Sequence, residues 1–398
     1  MRNRRLYLVA SMALAAALAF SQTDVTAPKD DVEQSYERNF VRSSLNIKLD
    51  VLKEAAGYPN VDMTALYVRA IRFALDNASL LVNDTQLRDI AIFSVRQIDQ
   101  QKYANAVTDL WNLFQTYRDP ALRVPILNCF ANLAAGNSQI VMNLNAFLSN
   151  QNTIRQAGIE PDYQTIDACV RTLGKLQSAT SYQPVFAVYV SDYSPIITKD
   201  SLEALNSLKG DLKGFFVEVT RLNPPIDKMA ALKAALASPK FSESDKAEMA
   251  FSALSVALDN QAAPESGVMR DLRYLAVREL SVRNWSQASS LAIRNYTLAN
   301  QEYARKDGTK AALIDAINCV GAMGTSDAAQ SLTLSLQLIN AERDAGKPFD
   351  QEITLAIIDN LGSLGDKVAF DHLLFVSYLD YPEVVKNAAK AALKKLKL

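Results

Sequence analysis

The stretch Leu87 to Ile98 reads LRDIAIFSVRQI, and Met269 to Leu280 reads MRDLRYLAVREL. Arg88, Asp89, Val95 and Arg96 return as Arg270, Asp271, Val277 and Arg278, 182 residues later. An echo at nearly half the chain length constrains the fold more than any single motif, because similarity at a fixed spacing is the signature of repeated units. The match runs collinearly. Leu52, Lys53 and Pro59 pair with Leu232, Lys233 and Pro239, and Ala74 to Asn77 pair with Ala257 to Asn260. Asn128-Cys129 pairs with Asn318-Cys319. Beyond that point the offset settles at 188: Arg155, Ala157 and Gly158 pair with Arg343, Ala345 and Gly346, and Asp192-Tyr193 with Asp380-Tyr381. The offset changes only between predicted helices. The pattern predicts a tandem duplication of roughly 180 residues, with copies at 42–209 and 226–398 and a connecting helix or linker at 210–225.

The units themselves read as helices. Leu and Ala dominate and lose little on entering a helix, while Gly and Pro number only 13 each. From Val41 onward, apolar residues recur at i, i+3 and i+4 in segments separated by short turns. Asp84 is placed to cap the Leu87 helix, and Asp119-Pro120 to start the helix carrying Cys129. Pro161-Asp162 is placed to start the helix carrying Cys169. No convincing alternating strand is present.

A shorter period lies within each copy. Asp84-Thr-Gln-Leu-Arg88 and Asp119-Pro-Ala-Leu-Arg123 share D-x-x-L-R, 35 residues apart. The C-terminal stretch places Asp380 and Pro382 in a turn, then Val385, Lys386, Ala389, Ala392 and Leu393 along a helix. This stretch resembles a HEAT repeat. Asp119 resembles the family's turn acid and Arg123 its basic position. The resemblance implies an all-α protein, an α-solenoid of stacked antiparallel helical hairpins used as a scaffold, and it implies no substrate. It covers about three repeats and weakens elsewhere. On this reading Arg88, Asp89, Arg96, Asp119, Arg123, Arg270, Asp271, Arg278, Asp380 and Lys386 serve the stacking, because a guanidinium can bond a carboxylate and a carbonyl of the next repeat together. The alternative for the recurring arginines is a twofold-repeated anion site. Tyr193 and Tyr381 are candidate partner anchors if exposed, since Tyr is enriched in binding hot spots.

The N-terminus reads as an address. Arg2, Arg4 and Arg5 precede an apolar run from Leu6 to Phe20, followed by small residues suited to cleavage after Ser21. Residues 1–21 are expected to be a Sec-type signal peptide without a lipobox cysteine, and 22–41 a flexible leader. The expected location is periplasmic or secreted, with no transmembrane segment after cleavage. Cleavage would remove three arginines and no acids from a chain of 42 basic and 43 acidic residues. The resulting acidic balance lacks the basic face that nucleic-acid binding requires.

Chemistry is sparse. His372 is the single histidine, which excludes histidine pairs for zinc or for general-base relays. Cys129, Cys169 and Cys319 sit in apolar helical segments and read as buried thiols, with a Cys129–Cys169 bridge open if their helices touch. Nucleophile-elbow, phosphate-loop and metalloprotease motifs are absent. No catalytic, cofactor or metal residue is assigned. The expected function is a non-catalytic scaffold or adaptor that binds protein partners. The alternative is a helical-toroid lyase or hydrolase acting on carbohydrate through carboxylates; the cluster Glu243, Asp245 and Glu248 reads as a solvated helix start.

Overall fold

The computed structural model describes residues 29–81, 84–259 and 266–397. The signal peptide expected at 1–21 lies outside them. Among the described residues all regular structure is helical. Twenty helices follow in order, joined by short turns. They are α1 (Lys29–Arg42), α2 (Leu45–Ala55), α3 (Thr64–Asp76), α4 (Thr85–Gln100), α5 (Val107–Thr116), α6 (Pro120–Leu133), α7 (Ser138–Gln156), α8 (Tyr163–Leu176), α9 (Tyr182–Ser191) and α10 (Pro195–Ser207). The remainder are α11 (Leu212–Leu222), α12 (Pro225–Ala237), α13 (Glu243–Asp259), α14 (Ser266–Arg283), α15 (Ser289–Ala304), α16 (Lys310–Ala322), α17 (Ser326–Asp344), α18 (Gln351–Leu364), α19 (Phe370–Phe375) and α20 (Glu383–Leu393). A single helical turn at Ala78–Leu81 follows α3.

The helix starts follow the capping chemistry of the sequence. Asp84 accepts the backbone N–H groups of Gln86 and Leu87, and Asp119 accepts that of Ala121 with Pro120 in the first turn. Asp162 and Asp350 do the same for α8 and α18. Each cap satisfies donors that the first turn leaves without partners.

The chain forms two compact units. Among the described residues the first holds 29–81, 84–144 and 158–172, the second 145–157, 173–259 and 266–397, so α7 and α8 contribute to both. In the first unit, α1 packs on α3 and α3 on α5, while α2 packs on α4 and α4 on α6. In the second unit, odd helices from α11 to α19 pack in succession, and even helices from α12 to α20 do likewise. Each unit therefore has two helical layers with one core between them. Leu52, Ile71, Ile90, Leu110 and Phe130 fill it in the first unit, and Leu232, Leu254, Leu272, Ile317 and Leu361 in the second.

One expectation changes. Residues 29–42 form a helix instead of a flexible leader. The acids there masked an i, i+4, i+8 stripe of Val32, Tyr36 and Phe40. Phe40 is fully buried and meets the edge of Phe73 at 5.8 Å. Residues 212–222 form α11, which packs on α12 and α13 as α1 packs on α2 and α3. All three cysteines are buried and free, with no Cys129–Cys169 bridge.

Candidate functional site

Three of the recurring arginines, Arg88, Arg270 and Arg278, are held by partners roughly one hairpin away. Arg88 Nη1 donates to Asp119 Oδ2 at 3.2 Å, and its Nε lies 4.0 Å from Asp89. Arg123 is half-buried and donates Nε to the carbonyls of Phe114 and Tyr117, with its guanidinium 4.7 Å from the Phe114 ring. It thereby satisfies carbonyls at the end of α5 that no intrahelical N–H reaches. Arg270 donates to the Asp307 carbonyl at 3.1 Å, and Arg278 pairs with Asp315 at 3.4 Å. Asp271 is exposed, Lys386 is half-exposed on α20, and Arg96 lines an open cleft with Asp99, Pro120 and Gln164. The structure thus joins Arg88 to Asp119 but gives Arg270 and Arg278 different acceptors.

Tyr193 and Tyr381 are not surface anchors. They are 6% and 4% exposed. The Tyr193 hydroxyl donates to Asn152 Oδ1 at 2.8 Å, and Asn152 Nδ2 reaches the Pro184 carbonyl. The Tyr381 hydroxyl donates to Asn340 Oδ1 at 3.1 Å, and Asn340 Nδ2 reaches the His372 carbonyl at 3.0 Å. Beside them, Arg155 Nε donates to the Ser191 carbonyl at 3.1 Å, and Arg343 Nε donates to the Asp380 carbonyl at 2.7 Å. Arg343 Nη2 also takes Asp380 Oδ2 at 2.7 Å, which gives that acid its place. The Asn, Arg and Tyr of one network lie 188 residues from their equivalents in the other. The recurring sequence Asn-x-x-Arg-x-Ala-Gly, at Asn152 to Gly158 and Asn340 to Gly346, was the available signal for both asparagines.

Two further charged sites escaped the sequence reading. Lys48 and Lys228 are 5% and 7% exposed. Lys48 Nζ donates to the carbonyls of Phe40 and Val41, and Lys228 Nζ to those of Thr220 and Arg221 at 2.8 and 2.9 Å. Each ammonium caps the C-terminal end of the preceding helix, where the dipole favours a cation. Burial lowers both lysine pKa values from the ordinary range. The second site is Arg273, 2% exposed, whose Nη2 meets both Glu302 oxygens at 2.6 Å. Its Nη1 donates to Asn295.

The acids Glu243, Asp245 and Glu248 lie in the first turns of α13 and are paired with cations. Lys213 Nζ lies 2.6 Å from both Asp245 and Glu248, and Glu243 pairs with Lys246 and Arg283. The Lys213 hydrogen bond is the main reason the Asp245 carboxyl falls to about 2. Among the described residues no group of His, Cys, Asp and Glu has the arrangement of a metal site. No described helix is long and apolar enough to cross a membrane.

A groove of about 700 Å³ opens in the first unit between α1 and α3. Phe40, Val68 and Phe73 form apolar walls, and Lys48, Arg69 and Arg72 contribute positive charge. The Lys48 ammonium sits 4.4 Å from the Phe40 ring centre and 4.7 Å from that of Phe73. Arg69 Nε is anchored on Glu37 at 2.9 Å, and Arg72 on Asp109 at 3.1 Å. A groove of this size with apolar walls and a few fixed polar groups has the attributes of a ligand pocket.

The sequence matches no protein-family model, and no curated protein matches it.

Proposed function

We propose that the chain is an exported, non-catalytic scaffold: a HEAT-like α-solenoid, produced by tandem duplication, that binds protein partners along its surface. The observation that carries the architecture is the paired network Asn152–Tyr193–Arg155 and Asn340–Tyr381–Arg343 at one constant offset. Two unrelated helical segments would have no reason to repeat a buried Tyr–Asn bond together with its backbone acceptor, the Pro184 carbonyl in one and the His372 carbonyl in the other.

Other pairings support the same reading. Helices α1 to α10 find counterparts in α11 to α20 in the same order. Lys48 and Lys228 cap α1 and α11 alike. The Lys209 N–H donates to the Gln177 carbonyl, and the Lys397 N–H to the Gly365 carbonyl. Within each unit, stacked neighbours bury faces that one hairpin could not bury alone, the stability logic of repeat arrays.

The scaffold role rests on this architecture and on surfaces such as the α1–α3 groove. It is tested by in situ crosslinking in the native envelope, followed by affinity recovery of the chain. A reproducible set of envelope proteins crosslinked to defined surface positions is the expected result. Recovery of the chain with no crosslinked protein from any surface position would contradict the role. Cell fractionation with detection of a processed N-terminus tests export.

A further inference from the structure

We propose that the α1–α3 groove of the first unit is a docking site for an acidic peptide segment bearing an apolar side chain. This deepens the scaffold reading and rests on it for the claim that the ligand belongs to a protein.

The argument begins with charge. A smaller cavity of about 180 Å³ shares Glu37, Val41 and Arg69 with the groove and adds Arg38 and Arg42. The combined surface has four arginines, Arg38, Arg42, Arg69 and Arg72, around the buried Lys48, against three carboxylates, Glu37, Asp76 and the Asp109 that anchors Arg72. The chain as a whole carries a formal charge of −1, so the groove departs in sign from its background. Arg69 and Arg72 remain 52% and 64% exposed although each is anchored by a carboxylate. Anchoring holds the guanidinium at the rim, and a guanidinium has N–H donors on more than one edge. A carboxylate arriving from solvent can therefore engage the outer edges without breaking the inner ion pairs.

The floor supplies the second half of the chemistry. Val41 is 58% exposed and Val68 and Phe73 are half-buried, and they line the cavity above the buried Phe40 and Lys48. An apolar side chain entering there would leave water, while flanking carboxylates would meet the arginine rim. Neither a basic segment nor a purely apolar helix offers that match.

The second copy provides an internal comparison. At offsets of 180 and 183, Arg38, Arg42, Arg69 and Arg72 correspond to Glu218, Leu222, Ser252 and Ser255. Phe40 and Phe73 correspond to Thr220 and Val256, whereas Lys48 stays Lys228. The capping lysine that serves packing is retained in both copies. The four arginines are not, so the hairpin framework does not require them.

The test uses the full chain and three fluorescein-labelled dodecapeptides, identical in their Phe residues and carrying Glu, Gln or Lys at the intervening positions. Fluorescence anisotropy at low salt should give saturable binding of the Glu peptide about tenfold or more tighter than the Gln peptide, with no binding of the Lys peptide. The preference should shrink as ionic strength rises, because the rim is exposed. The double variant Arg69→Ser/Arg72→Ser, which installs the residues of the second copy, should abolish the preference with an unchanged circular-dichroism melt. The control Lys390→Ser/Lys394→Ser at the C-terminal end of α20 should leave it intact. Equal binding of Glu and Gln peptides, no binding of the Glu peptide, or loss through the α20 control alone would each overturn the groove. Envelope crosslinking separates the two readings. If the Arg69/Arg72 variant captures the same proteins as the parent, the scaffold stands and the groove falls. If the parent captures none while the peptide preference persists, the groove stands and the scaffold falls.

Discussion

A buried ammonium is tolerated at Lys48 because backbone carbonyls take the place of water. Carbonyls of Phe40 and Val41 receive its protons, and two phenyl faces surround it. Arg273 solves the same problem with a carboxylate. It is the more exposed to loss of its partner, since removing one member of a buried pair strands the other charge. Glu302→Ala should therefore destabilise the chain by about 3–5 kcal/mol, read as a fall in the urea midpoint. A change below about 1 kcal/mol would mean that solvent reaches Arg273 and replaces the lost partner. Buried neutral groups set the response to alkali. Burial raises the thiols of Cys129 and Cys319 to about 12 from 9.0, and the hydroxyls of Tyr67 and Tyr381 to about 12 from 10.0. Groups raised on folding contribute stability that is full below the unfolded value and lost as pH climbs to the folded one. Lys48 and Lys228 are lowered and act in the opposite sense, but the raised groups outnumber them. The urea midpoint should fall steadily between pH 9 and about 12, and a flat profile there would contradict the burial.

At the scale of the element, helix boundaries were the most legible feature. Asp84, Asp119 and Asp162 each precede an apolar-periodic run, and each caps a helix. α1 was illegible because four-residue spacing of Val32, Tyr36 and Phe40 is diluted by charge on its other faces. The burial of Tyr193 and Tyr381 was illegible for another reason. Both lie in the turns that precede α10 and α20, where helical periodicity gives no face to read, and Tyr can be buried with its hydroxyl paired. The groove was not legible at all, since it needs α1 and α3 side by side. The change of offset from 182 to 190 does have an element-scale cause. α15 has 16 residues where α5 has 10, and Glu302 lies on the added turns. The position equivalent to Arg273 is Ala91, so the longer helix and the buried charge occur together. Close helix approach gives the prediction at this scale. A Cβ on Gly362 would lie 2.9 Å from Ala392, and one on Gly174 would lie 3.1 Å from Ala204. Gly362→Ala should cost about 1–3 kcal/mol and Gly174→Ala somewhat less, both measured by urea denaturation. A neutral Gly362→Ala would indicate that α18 and α20 pack less closely than described.

For the whole molecule, the proposed duplication would divide what packing requires from what the surface is free to change. Lys48/Lys228, Asn152/Asn340 and Tyr193/Tyr381 are kept in step and make matching hydrogen bonds, while Arg155/Arg343 are kept with different ring partners, Tyr193 and Phe349. Arg69 and Arg72 are not kept, and they lie at a groove rim. The measurement that tests the twofold design most directly is a pair of double-mutant cycles on the full chain. One combines Asn152→Ala with Tyr193→Phe, the other Asn340→Ala with Tyr381→Phe. Each buried hydroxyl–amide bond should give a coupling energy of about 1 kcal/mol, equal in the two cycles within about 0.5 kcal/mol. Coupling in one cycle and none in the other would show that the network is not built twice, and would contradict the duplicated architecture.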